Sequence, residues 1–311
     1  MGAADDFMTS FFKEYPQAQS GKLSMEELNA LMTEYQRKIN SSPLADFDGL
    51  SPEDMAGLLH APFAPGGVLQ FSKEMDDYVD QVPIFKLSEL LINEIRNSDT
   101  LKLTTKGNLP VRVCELLYNQ QLIKWEYMEF NKKIQEDEVP YLWPLKQYLL
   151  DEGIVKKRNN ALSLTKHGEK LMGGHKTVRF ITLLTYFTSR FHWGNFYGLQ
   201  DGGKWGNLGW AYSLVLLSKY GSRSNTAVFY SFKLIRAFEK ELWDVHQKDM
   251  TTKACDNHHR AYTVRFFECF ANWFGLVSIE HTRDYRVPLS HQVKITKSSL
   301  FDHLFEVIKG Y

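Results

Sequence analysis

Three cysteines in 311 residues are too few, and oddly numbered, for a disulfide framework. Cys114, Cys255 and Cys269 show no paired spacing, so free thiols in a reducing compartment are expected. Charge of one sign is also lacking. Lys+Arg and Asp+Glu are each 37, a formal net charge of zero. Proteins that coat polyanions indiscriminately carry a basic excess. That class is disfavoured, although one basic face is not excluded. Long apolar runs are missing as well. The most apolar stretch, 180–187, sits between Arg179 and Arg190 and falls well short of the roughly 20 residues of a membrane span. The opening MGAADDFMTSFF is acidic where a secretory leader is basic. A cytoplasmic protein without membrane contact is the expectation.

Catalytic signatures are absent too. No phosphate-loop pattern occurs, because Lys204 is followed by Trp205, and no G-x-S-x-G turn is present. Cys255-x-x-His258-His259 supplies one ligand pair where a closed zinc site needs four ligands, and Cys269 lies on an aromatic helical face. No metal and no cofactor are expected.

What the chain does have is a recurring phrase. LKLTTKGNLP (101–110), ALSLTKHGEK (161–170) and QVKITKSSLF (292–301) each alternate apolar and polar residues before a threonine and a lysine. Alternation of this kind marks half-buried strands. Around them, helical signals are clear. Ser24-Met25-Glu26-Glu27 forms a capping box ahead of Leu28, Leu31, Met32 and Tyr35, predicting a helix over about 24–39. Ser51-Pro52-Glu53-Asp54 opens another. Leu87, Leu90, Leu91 and Ile95 mark a helix over about 86–97, and Tyr141–Asp151 carries Leu142, Leu145 and Leu149 on one face with Gly153 to end it. Residues 119–139 read as a charged helix with Trp125, Tyr127 and Phe130, either a dimerisation arm or a solvated cover.

Between 85 and 172 the order is therefore helix, strand, helix, helix, strand, basic hairpin, strand. A looser repeat follows, where Phe274-Gly275-Leu276-Val277 echoes Glu152-Gly153-Ile154-Val155. By letters, Gly275 to Thr296 matches Gly153 to Thr165, with a longer hairpin tip and Ser298 in place of a glycine. The expected fold is mainly α with small antiparallel β-wings (α+β). It comprises an N-terminal helical region (1–84), a first module (85–172), an aromatic helical connector with a glycine-rich loop (173–225) and a second module (226–311).

The pattern of a helix, Gly-Ile/Leu-Val and then L-x-L-T-x-x-G resembles the winged-helix superfamily of bacterial regulators, over about 86–170 and more loosely over 226–305. GLSPEDMAGLLHAPF (49–63), with LTTKGNLP and the aromatic 180–220 stretch, is also similar to a family of uncharacterised bacterial proteins, which brings no activity with it. The winged-helix resemblance implies a non-enzymatic DNA-binding or regulatory protein. Lys146 and Gln147, with Tyr148 beside them, would face base edges. Lys156, Lys157, Arg158 and Asn159 would hold phosphates of double-stranded DNA at the hairpin tip, a charge partly cancelled by Asp151 and Glu152. In the second module His258, His259, Arg260 and Arg265 on the helix, and Arg283 and Arg286 on the wing, are candidates diluted by Glu268, Glu280 and Asp284.

Two other readings stand beside this one. A neutral chain with 14 % aromatics suits a protein-interaction scaffold, with a protein partner or a second copy of itself. The loop over 190–209, with His192, Trp193, Asn195, Asp201, Lys204 and Trp205, reads either as glycine-permitted packing between modules or as a pocket for a small ligand or enzyme chemistry.

Overall fold

Ser24 and Ser51 each begin a helix as their spacing predicts. Ser24 accepts from the Glu27 N–H while Glu27 bonds back, and Ser51 and Asp54 do the same with Pro52 at the first helical position. The structure is a computed structural model, and it describes residues 3–124, 134–195, 209–239, 258–282 and 292–308.

The N-terminal helices are α1 (Ala3–Glu14), α2 (Met25–Ser41) and α3 (Pro52–His60), followed by strand β1 (Leu69–Phe71) and the short α4 (Met75–Tyr78). Then come α5 (Pro83–Asn97), β2 (Leu101–Lys102), α6 (Val111–Tyr118), α7 (Leu142–Asp151), β3 (Val155–Arg158) and β4 (Ala161–Leu164). Next are α8 (Lys166–Met172) and α9 (Lys176–Thr185), which continues as a π-helical segment, Tyr186–Arg190. The remainder holds α10 (Trp210–Tyr220), β5 (Asn225–Thr226), α11 (Ala227–Ala237), α12 (residues 258–273), β6 (Val277–Thr282), β7 (Gln292–Lys297), α13 (Ser299–Leu304) and β8 (Phe305–Val307). Residues Thr263–Ala271 of α12 are π-helical. The chain is thus mainly α-helical, with small antiparallel sheets of two or three strands. Among the described residues no helix is long and apolar enough to cross a membrane.

Two stretches share one order: helix, strand, helix, helix, strand, strand. The first is α5-β2-α6-α7-β3-β4 and the second α10-β5-α11-α12-β6-β7. Their sheets have the same topology, β2-β4-β3 and β5-β7-β6. The second stretch opens at Trp210–Tyr220, inside the segment expected to be the connector.

The equivalence is tight at the strand ends. Thr165 donates its hydroxyl to the Gly153 carbonyl at 2.6 Å, and Ser298 does the same to Gly275 at 2.6 Å. Thr165 N–H bonds to Ile154 O and Ser298 N–H to Leu276 O. Gly153 (φ +64) and Gly275 (φ +71) both adopt the left-handed backbone that lets the chain turn from the third helix into the strand. Ser298, not Thr296, is therefore the partner of Thr165, and the letter repeat is out of register by two residues.

One continuous core runs through both stretches. Phe187 lies at its centre, with ring centroids 6.4 Å from Tyr148 of α7 and 5.9 Å from Trp273 of α12. The N-terminal region is stitched on at two places. β1 pairs antiparallel with β8, Leu69 opposite Val307, and Phe63 and Phe71 stack at 3.9 Å beside Phe305. The other stitch is Asp48, a left-handed residue (φ 55) whose carboxylate accepts from Tyr212 Oη at 3.0 Å, Tyr220 Oη at 2.6 Å and Lys233 Nζ at 2.6 Å. Its carbonyl takes Lys219 Nζ.

Candidate nucleic-acid interface

The first hairpin is built for a tight, defined tip. Asn159 and Asn160 both have positive φ (49 and 55), the two-residue turn whose twist matches the flanking strands. Arg158 pairs with Ala161 across it. Asn160 donates its side-chain amide to Thr104 O at 2.7 Å, tying the tip to the exit of β2. Side chains alternate between faces along a strand. Val155, Leu162 and Leu101 turn inward and are buried. Lys102 and Arg158 flank Ala161 in one row, and Lys156 faces Ser163 in the next. Among the described residues of these strands, the outer face therefore presents Lys102, Lys156 and Arg158 and no carboxylate. Lys157, paired with Leu162, starts from the other face and reaches the loop after β2, its Nζ 2.9 Å from where a Cβ on Gly107, the neighbour of Lys106, would lie. All five cations are exposed, and none has an ion-pair partner among the described residues. Asp137 reaches this loop by accepting from Asn108 Nδ2.

The acids expected to dilute the wing are engaged elsewhere. Asp151 accepts from Tyr186 Oη at 2.8 Å and from Gln147 Nε2 at 2.6 Å, and Glu152 pairs with Arg190 at 2.7 Å.

Of the residues assigned to base reading, helix α7 buries Lys146 and Tyr148 and leaves Gln147 partly open. Lys146 is 6 % exposed and binds Glu136 at 2.5 Å and the Gly107 carbonyl at 2.9 Å. The other Glu136 oxygen accepts the Leu109 N–H at 2.6 Å. This buried pair fastens the loop after β2 to α7. Glu136, expected on a charged helix that is either a dimerisation arm or a solvated cover, lies in a short 3₁₀ turn and is 1 % exposed. Of the rest of that expected arm, 125–133 lie outside the described residues. Cys114 sits beside the pair, and burial, reinforced by Glu136, pushes its thiol up to about 12. Tyr148 is 2 % exposed, packed on Tyr186. Gln147 is half-buried and bonded to Asp151.

The second unit is likewise corrected. His258, His259 and Arg265 of α12 are buried, and Arg260 is exposed. Arg283, Asp284 and Arg286 lie outside the described residues. In the row matching Lys102–Ala161–Arg158, this sheet has Thr226, Lys294 and Glu280. A carboxylate stands where the first sheet has Arg158.

The loop candidates divide similarly. Trp193 is 1 % exposed and donates Nε1–H to Phe187 O at 2.8 Å, making it part of the core. His192 is exposed and Asn195 ends a short 3₁₀ turn. Asp201, Lys204 and Trp205 lie outside the described residues, as does Cys255. Cys269 is fully buried. Among the described residues no group of three or more His, Cys, Asp or Glu is placed to hold a metal ion.

The candidate face adds Lys102 and Lys106, which the sequence reading does not name, although the Leu101/Leu103 alternation already puts Lys102 on the outer face. Compared with protein-family models, curated proteins and solved structures, the chain matches none of them.

Proposed function

We propose that this chain is a non-enzymatic, bacterial-type, cytoplasmic DNA-binding or regulatory protein built on two winged helices, and that it touches duplex DNA through its first wing. The observation that carries the reading is the outer face of the β2-β4-β3 sheet. Lys102, Lys156 and Arg158 lie on one surface, with Lys106 and Lys157 beside its edge, all exposed and without ion-pair partners among the described residues. Polyphosphate is the ligand that rewards unpaired cations spaced along a flat surface, through release of its counterions. The repeated element order and strand order support the winged-helix assignment.

The test is fluorescence anisotropy on the full chain with duplexes of about 30 base pairs at about 50 and 200 mM salt. Three phosphate contacts give a salt slope of about −2.7, a roughly 40-fold loss of affinity over that range. Replacing Lys156, Lys157 and Arg158 together with alanine is expected to weaken binding to every duplex and flatten the slope. Unchanged affinity in that variant refutes the assignment.

A second reading, a protein-docking scaffold, draws on one specific feature. Val228 and Phe232, one turn apart on α11, are 42 % and 56 % exposed. Binding of a protein partner by a chain that ignores DNA would favour it.

A further inference from the structure

In a winged helix that reads sequence, the third helix lies in the major groove with its base-reading side chains free. Here both third helices are committed to the interior. On α7, Leu142, Leu145, Tyr148 and Leu149 are buried, and Trp143 packs 6.0 Å from Phe191. The stripe left open runs through Trp143, Gln147 and Asp151, which includes no cation, and its one amide is bonded to its own acid. On α12 the burial is more complete. Phe266, Phe267, Phe270 and Trp273 belong to the core, and Arg265 is fully buried. Phe187 packs between the two helices, so freeing either one means opening the centre of the molecule.

The cations stand on a sheet face instead. Backbone phosphates position a protein but carry no sequence information. We infer that the first sheet is a sequence-independent phosphate platform for double-stranded DNA, engaged through this one wing; the inference rests on the DNA-binding reading above. Duplex is favoured over single strand because the outer face, Lys102, Lys156, Arg158, Ala161 and Ser163, has no aromatic ring on which an unpaired base could stack. The first wing is favoured over the second because, among the described residues of the second sheet, Glu280 stands directly opposite Lys294 and offsets it.

The experiment titrates the full chain with several unrelated duplexes at low salt, then passes it through selection from a random duplex library. Dissociation constants within about three-fold of one another and no enriched motif are expected. An enriched motif preferred by about ten-fold or more overturns sequence independence while leaving DNA binding intact. Tighter binding to single-stranded RNA than to duplex overturns the choice of ligand. No binding to any duplex at low salt removes the functional reading itself, and the inference with it. The Lys102→Ala/Lys156→Ala/Arg158→Ala variant alters only exposed side chains, so its fold can be verified by circular dichroism. It is expected to lose roughly ten-fold or more in affinity for every duplex alike. A loss confined to some sequences counts against the platform.

Discussion

Lys233 holds its ammonium 2.6 Å from Oδ1 of Asp48, across 185 positions of sequence. The same ammonium sits 4.4 Å from the Tyr220 ring centre, and Tyr220 bonds the same oxygen. A loop near the N-terminus is thereby locked to α10 and α11.

Burial alone pushes the Asp48 carboxyl up. Hydrogen bonds from Lys233, Tyr220 and Tyr212 outweigh it and hold the group below the ordinary carboxylate range. A group with a lowered folded pKa stabilises fully above its unfolded value of about 4 and loses that contribution as pH falls through the folded one. Asp48→Asn is therefore expected to cost about 2 kcal/mol at neutral pH. In urea unfolding, the gap from the parent chain should hold from about pH 5 to 8 and close in acid. A gap that stays constant in strong acid would refute the linkage.

Lys146→Met leaves the Glu136 carboxylate buried beside a thiol with its cation gone. Breaking one side of such a pair costs about 3–5 kcal/mol. The Glu136→Gln/Lys146→Met double variant should recover part of this, since the remaining amide still accepts the Leu109 N–H. Denaturation midpoints of the two variants measure it, and a loss below about 1 kcal/mol in the single variant would mean the pair is solvated.

Glu280→Lys converts the second sheet's central row from Thr-Lys-Glu to Thr-Lys-Lys. The side chain is exposed, so stability should change by less than about 0.5 kcal/mol. Under the proposed DNA-binding function, if charge alone limits the second sheet, DNA affinity rises and the salt slope steepens by about 0.9 per added contact. An unaltered slope would show that the second sheet never meets the duplex.

Gly153 and Gly275 hold the same turn but have different surroundings. An added Cβ on Gly153 meets nothing within 4 Å, whereas on Gly275 it lies 2.8 Å from Pro83 Cδ. Gly153→Ala should cost about 1–2 kcal/mol for the left-handed backbone alone. Gly275→Ala should cost visibly more, because α5 must also shift. Thermal unfolding of the two variants gives the ordering, and the reverse order would contradict the packing.

Local signals carried much of the helical architecture. The capping box at Ser24, the N-cap and proline at Ser51-Pro52, and the leucine spacing before Asn97 place helices to within a few residues, since each is written in neighbouring side chains. Errors arose where distant partners decide. Lys146 reads as polar surface until Glu136 is brought beside it. Thr296 looked like the match of Thr165 because letters repeat, whereas the hydrogen bond to the glycine carbonyl belongs to Ser298. A two-residue slip keeps every side chain on its face, so alternation could not expose the mistake. In α12 the π-helical bonding of Thr263–Ala271 departs from the 3.6 period, and residues all round the helix are buried. The wing's cation cluster was legible at its tip, but its membership across strands depends on register, which only pairing reveals.

The ribbon of β1 with β8 bears on how the chain is made. Leu69 leaves the ribosome long before Val307, so β1 lacks its partner strand, and Phe63 and Phe71 lack Phe305, while the residues between are made. Such a closure is entropically expensive and comes late. Until it forms, the nascent chain carries an open strand edge beside aromatic surface, the combination that chaperones recognise and that aggregates if left alone. Chains released before Phe305 should therefore be directed to degradation rather than persist as a folded N-terminal fragment.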